Sequence, residues 1–205
     1  MLRVAMSNRW ASGRAERRPE LLEAASRAIR RHGPGVSMDR MAAEAGIAKP
    51  ILYRHFGDKA GLYQALAKRH LEELMATLQE ALSREMEPEA RLRTTIDSYL
   101  AHVEREPEVY RFLVHSDNAE GVESQHEVGA FIRQVAAQVA VVVREELSRA
   151  GMRTDGAEAW AHGIVGMVQS AGDWWLETRS LSRAELVDHL VILLWLGFSR
   201  LPANS

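Results

Sequence analysis

The chain is 205 residues long with an apolar fraction of 46%, which excludes a disordered chain and leaves room for one domain or a small module joined to a larger one. It has no cysteine, so disulfides and thiolate metal sites are excluded, and its longest apolar run, Leu190 to Leu196, falls far short of a membrane span. Net charge is only −2, yet residues 1–70 hold 14 Lys and Arg against 6 Asp and Glu, and residues 71–205 hold 12 against 22.

A head of charge +8 on a body of charge −10 suits a chain that grips a polyanion with one end and keeps the other away from it. In chain order, residues 1–18 carry Arg3, Arg9, Arg14, Arg17 and Arg18 among Ser and Gly and read as a flexible basic arm. From Pro19 to His32, Leu22, Ala25, Ala28 and Ile29 fall at helical spacing, and Gly33-Pro34-Gly35 stops that helix. Ser37 caps a second helix with Met38, Met41, Ala42 and Ala45 inward, ended by Gly46. A short third helix runs from Lys49 to Phe56 with Pro50 in its first turn, where a missing N–H does no harm. Gly57 breaks it, and Asp58 caps a long helix with Leu62, Ala65 and Leu66 inward.

Pro88 and Pro107 open helices over about 89–105 and 107–115, followed by a polar loop at 116–123. Ser124-Gln125-His126-Glu127 matches a capping box and predicts a helix to about Arg149, closed by Gly151. Asp155 to Glu158 repeats the pattern before a helix to about Arg179, and Ser182 to Glu185 opens a last helix to about Arg200. The expectation is an all-α chain of about nine helices: an arm (1–18), a helix-turn-helix domain (19–66) and a helical body (67–205).

The stretch Ser37 to Lys59 has helix-turn-helix spacing. Two short helices meet at Ala45-Gly46-Ile47, where Gly46 can take positive φ, so that the first braces while the second enters a major groove. Ile47, Leu52 and Phe56 are expected inward, leaving Lys49, Ile51, Tyr53, Arg54 and His55 outward. Lys49 suits guanine or phosphate, Ile51 a thymine methyl, and Tyr53 and His55 phosphate oxygens. Ser37 and Lys59 stand at helix starts, where one phosphate could be held. The arm could reach a neighbouring minor groove. The plainer reading is a helical hairpin with Tyr53 and His55 as half-buried surface residues.

Ala45-Gly46-Ile47-Ala48-Lys49-Pro50-Ile51-Leu52-Tyr53-Arg54-His55-Phe56, then Asp58-Lys59 and Leu62-Tyr63, resembles the DNA-binding signature of the tetracycline-repressor (TetR) family over about residues 18–66. One departure is Ala48, where that family usually places Ser or Thr, so a side-chain cap is missing at the start of the third helix. The resemblance implies double-stranded DNA with a palindromic operator as partner, a homodimer built mainly on the last two helices, and an effector pocket in the body.

The body's own pattern supports a two-fold partner. The helix from Leu186 to Phe198 is apolar nearly all round, and the one before it carries Ala159, Gly163, Gly166, Ser170 and Ala171, small enough for close helix approach. Gly163, Gly166, Leu190, Leu194, Trp195 and Phe198 are the candidate dimer residues; burial within the subunit is the alternative. For an apolar effector the candidates are Tyr110, Phe131, Met167 and Trp174, with His115, His162, Gln169 and Asp173 as orienting polar groups.

The eight histidines form no i, i+4 ligand pair, so no metal and no cofactor is expected. His115-Ser116-Asp117 is adjacent in sequence without the elements of a catalytic triad, so no enzyme is expected. The first residues lack the apolar stretch of a signal peptide, and a cytoplasmic, nucleoid-associated protein without membrane contact is expected. The expected function is a ligand-released repressor, with an activator of the same fold or a helical protein-interaction module as alternatives.

Overall fold

The computed structural model describes the backbone of residues 2–114 and 122–198 and side chains within 17–114 and 128–197. Among these residues there are nine helices and no strand: α1 (Leu2–His32), α2 (Met38–Glu44), α3 (Lys49–Phe56), α4 (Lys59–Ser83), α5 (Pro88–Arg105), α6 (Pro107–Val114), α7 (Val122–Arg149), α8 (Ala157–Thr178) and α9 (Arg183–Phe198). Punctuation by Gly and Pro set most of these boundaries as expected. Three differ.

Residues 2–18 continue α1, where a flexible arm was expected, and Pro19 lies inside the helix. Ala and Arg are strong helix formers, whereas Pro19 costs the helix both a hydrogen bond and room for its ring against the preceding turn. Helix α7 starts at Val122, so Ser124 lies inside it and not at its cap. Helix α8 has Gly156 at its N-cap, a residue with no side chain to make the cap bond, and the Asp155 carboxylate pairs with Arg153 at 2.5 Å. The third capping box forms in full. Ser182 Oγ accepts from the Glu185 amide at 3.2 Å, and Glu185 Oε2 accepts from the Ser182 amide at 2.8 Å.

By packing, the described parts of Met1–His70 and Glu106–Val128 form one unit, and those of Leu71–Arg105 and Gly129–Ser205 another. The first unit therefore takes α6, which the sequence reading had assigned to the body. Amphipathic α6 buries Val109, Phe112 and Leu113, with the Phe112 ring edge-on to Tyr63 at 4.4 Å. Glu106 bonds Arg30 of α1 at 3.0 Å. In this unit Leu22, Ala25, Ala28 and Ile29 of α1 are buried with Met38, Met41, Ala42, Leu52, Phe56, Leu62 and Leu66. One buried polar pair sits among them: Ser26 Oγ lies 2.9 Å from His70 Nε2.

The second unit packs α5 against α8 and α9. Helix α9 turns Leu186, Val187, Leu190, Val191 and Leu194 inward, and α8 turns Ala157, Ala161, Ile164, Val168, Gly172, Trp175 and Leu176 inward. At Gly172 an added Cβ would lie 3.3 Å from both Leu100 and Tyr99, so the helices approach closely there. Arg183 ties α9 to α5 through Asp97 at 2.8 Å and Glu104 at 2.7 Å. A separate apolar cluster joins Leu74, Met75, Leu78 and Val135, with Tyr99, Phe131, Val139 and Val165 packed on it and partly exposed. No helix among the described residues is long and apolar enough to cross a membrane.

Candidate nucleic-acid interface

Two short helices and a tight turn make this site. Ser37, extended at φ −80°, caps α2 by accepting from the Arg40 amide at 3.4 Å. After Glu44 the chain turns through Gly46 at φ +66°, a conformation that L residues rarely adopt. The Gly46 amide bonds Ala43 O at 3.0 Å and the Ile47 amide bonds Ala42 O at 3.0 Å, which closes the turn. Ala48 is the N-cap of α3 and makes no side-chain bond, so the departure noted from sequence leaves this helix start uncapped.

Leu52 and Phe56 anchor α3 from beneath, both buried, and Ile47 is half-buried. The opposite face holds the expected residues. Pro50 and Arg54 are exposed, and Lys49, Ile51, Tyr53 and His55 are half-buried, with the His55 Nδ1 atom itself buried. Ser37 is exposed. Lys59, the first residue of α4, lies 5.2 Å from the centroid of the Tyr63 ring. Asp58 caps α4 by accepting from the Gly61 amide at 2.7 Å. The interface residues named from sequence thus fall on α3 and the two helix starts beside it.

Three features were not legible. First, Lys49 Nζ pairs with Asp39 of α2 at 2.9 Å, and this bond is the main cause that raises the lysine's pKa above its ordinary value. Second, Arg18 is a clamp. Its Nη1 donates to the His55 carbonyl at 2.7 Å and its guanidinium lies 4.6 Å from the Phe56 ring centroid. Third, Gly61 presses on α3, since an added Cβ would sit 2.1 Å from the Phe56 carbonyl oxygen. None of these has a sequence signature, because each pairs residues of different helices: α2 with α3, α1 with α3, and α3 with α4.

The positive charge of the head is also partly spent internally. Arg27 and Arg31 pair with Glu44 at 3.3 and 2.8 Å, Arg30 with Glu23 at 2.7 Å, and Arg69 with Glu23 at 2.8 Å. These arginines brace the helices of the head, and their Glu23 and Glu44 partners are already subtracted in the +8 counted over residues 1–70.

In the body, the candidate residues divide differently from the sequence reading. Met167, Trp174 and His162, proposed for an effector, lie exposed on the same outward face of α8 as Gly163 and Gly166. Their spacing of three, four and seven residues puts them on one stripe opposite the buried one. Trp174 is 47% and Met167 38% exposed, so neither is enclosed by its own subunit. Leu190 and Leu194, proposed for the dimer, are buried within their own unit, and Trp195 is half-buried. The outward apolar residues of α9 are Ile192, Leu193 and Leu196, each more than half exposed. Phe131 packs on the apolar cluster, and Tyr110, Gln169 and Asp173 are half-buried. His115 and the Phe198 side chain lie outside the described residues.

A glycine-turned helix pair presenting Lys, Tyr, Arg and His on an all-helical chain defines a helix-turn-helix DNA-binding protein. Residues 21–66 match the family of bacterial regulatory proteins called tetR, and residues 77–204 match the tetracyclin repressor-like C-terminal domain. The chain belongs to the TetR family of transcriptional regulators. It is 38% identical, over 91% of its length and 79% of that protein's, to an uncharacterized HTH-type transcriptional regulator of Mycobacterium tuberculosis. It is 29% identical, over 92% of its length and 86% of that protein's, to the HTH-type transcriptional activator FasR of Mycolicibacterium smegmatis. Among solved structures, a tetR-family regulator from Streptomyces coelicolor shares the fold at TM-score 0.74 and 24% identity, covering 90% of this chain and 81% of that one. The regulator FadR of Bacillus subtilis, solved with stearoyl-CoA, shares it at TM-score 0.71 and 13% identity, covering 85% and 96%. The chain is accordingly a DNA-binding transcriptional regulator.

Proposed function

We propose that the chain is a homodimeric repressor that grips a palindromic operator through α3 of each subunit and releases it when an apolar effector enters the body. The observation that carries this reading is the outward face of α3, where Lys49, Ile51, Tyr53, Arg54 and His55 stand over a buried Leu52 and Phe56. In it Lys49 and Ile51 read base edges. Tyr53, His55, Arg54, Lys59 and Ser37 contact phosphates, and Pro50 shapes the first turn. To reach DNA, Lys49 exchanges Asp39 for its new acceptor.

The two-fold partner is supported by the stripe of Met167, Trp174, Ile192, Leu193 and Leu196, a quantity of exposed apolar surface that a lone soluble subunit rarely carries. Gly163 and Gly166 on the same face allow the partner helices to approach. The effector reading is supported by the half-open apolar cluster of Tyr99, Phe131, Val139 and Val165 over Leu74, Met75, Leu78 and Val135. The regulator FadR of Bacillus subtilis, which shares this fold, was solved in complex with stearoyl-CoA, and this supports an apolar effector here. Effector binding would favour a dimer state whose two reading heads no longer match adjacent major grooves.

One observation favours a second reading. FasR is an activator at 29% identity, and the sign of regulation follows from where the operator lies. Selection of bound sequences from a random duplex pool with the purified chain tests the proposal. A recovered palindrome with half-sites about one DNA turn apart is expected, and its genomic position separates repression from activation. An asymmetric single site, or no enrichment, would contradict it.

A further inference from the structure

The C-terminal end of α3 is held by contacts that DNA binding does not itself require. Arg18 of α1 donates to the His55 carbonyl and stacks on the Phe56 ring. That carbonyl belongs to the last turn of α3 (Lys49–Phe56), where carbonyls lack an intrahelical partner and carry the negative end of the helix dipole. A single guanidinium therefore fixes both the backbone of the last turn and the ring by which that turn enters the core. Gly61 of α4 completes the seat, its bare Cα against the Phe56 carbonyl. Tyr53 and His55 stand on this same turn, so any tilt of it displaces both from a phosphate at once.

We infer that Arg18 is a positioning residue for DNA recognition: it sets the angle of α3 through His55 and Phe56, and it neutralises no phosphate itself. The inference rests on the reading that α3 is the DNA-contacting helix. It also reverses the role that composition suggested for this arginine, as one of several free cations in a mobile arm. Lysine cannot replace it. An ammonium has no flat face to lie on Phe56 while donating in-plane to His55 O.

The test titrates the full-length chain with a duplex carrying its selected site, between about 50 and 200 mM salt, comparing wild type with Arg18→Lys and Arg18→Gln. Both variants are expected to bind roughly tenfold more weakly, because only part of the lost charged hydrogen bond and cation–π contact feeds into the docking of α3. Both are expected to keep the wild-type slope of log affinity against log salt. Arg18→Lys keeps the charge and carries the test even where Arg18→Gln fails to fold. If Arg18 neutralises a phosphate, Arg18→Lys binds like wild type and Arg18→Gln lowers the slope by about 0.9; either result overturns the inference. Combining Arg18→Lys with Phe56→Leu is expected to cost less than the sum of the two, and strict additivity would overturn it as well. A wild-type chain with no salt-dependent duplex binding would instead overturn the α3 reading, an outcome distinct from these.

Discussion

In the head, the side chains turned outward on α3 include a lysine, a tyrosine, an arginine and a histidine beside Pro50 and Ile51; in the body, those turned outward on α8 and α9 include Met167, Trp174, Ile192, Leu193 and Leu196. Both regions have an ordinary buried face beneath. Leu52 and Phe56 lie under the first, and Val168, Trp175, Leu190 and Val191 under the second. The difference lies in what each outer face leaves unsatisfied. Polar donors on a protruding helix are stable in water and gain when phosphates displace it, whereas an apolar stripe is costly until another apolar stripe covers it. The comparison teaches that one chain carries two exposed faces of opposite chemistry, one of polar donors and one apolar.

Leu193→Asp strikes at this contrast hardest. A charge in the middle of the apolar stripe is expected to yield a monomer by analytical ultracentrifugation. Duplex affinity should fall at least about a hundredfold, because linked half-sites act through effective concentration. A dimer that survives the substitution would place the partner surface elsewhere. Gly61→Ala comes next. With a new Cβ 2.1 Å from a backbone oxygen, α3 and α4 must separate, at an expected cost of about 1–3 kcal/mol in denaturant unfolding; wild-type stability would mean the junction relaxes freely.

Glu23→Gln probes the internal ion pairs of the head and is smaller. The Arg30 hydrogen bond, then the charges of Arg30 and Arg69, hold the Glu23 carboxyl below its ordinary value against the opposing effect of burial. A depressed carboxyl contributes stability that is present above its unfolded pKa, roughly 4.3, and lost as pH falls through the native value. The variant is thus expected to be less stable by under about 1 kcal/mol at neutral pH and to converge on wild type once pH falls below the depressed native value. A gap that widens on acidification would contradict the assignment. Smallest is Asp39→Asn, which frees Lys49 and removes a negative charge beside the DNA face. Affinity for non-specific duplex is expected to rise about two- to fivefold, and a fall would show that the pair with Lys49 is needed for binding.

Helix order and the reading helix were legible because they rest on local signals: Gly33, Gly46, Gly57, Pro88, Pro107 and the Ser182 capping box punctuate the chain, and outward residues on a short helix follow from its period. The first half of α1 was misjudged because Arg and Ser content was taken as a sign of flexibility where helix propensity prevailed. The body residues were only partly legible. On α9 almost every position is apolar, so sequence cannot say that Leu190 and Leu194 point inward while Ile192, Leu193 and Leu196 point outward. Arg18, Asp39 and Gly61 act between helices, and only tertiary geometry pairs them with His55, Lys49 and Phe56.

The account stands on α3 meeting DNA with its outward face. The most direct measurement is duplex affinity at several salt concentrations for wild type and for the double variant Tyr53→Phe, His55→Ala, with circular dichroism and sedimentation as controls. Wild-type affinity is expected to drop at least about a hundredfold between roughly 50 and 200 mM salt. The double variant should bind more weakly on every sequence, with a salt slope near that of wild type because neither lost group is a phosphate-neutralising cation, its helix content and dimer unchanged. Equal affinity for the two proteins would contradict the claim.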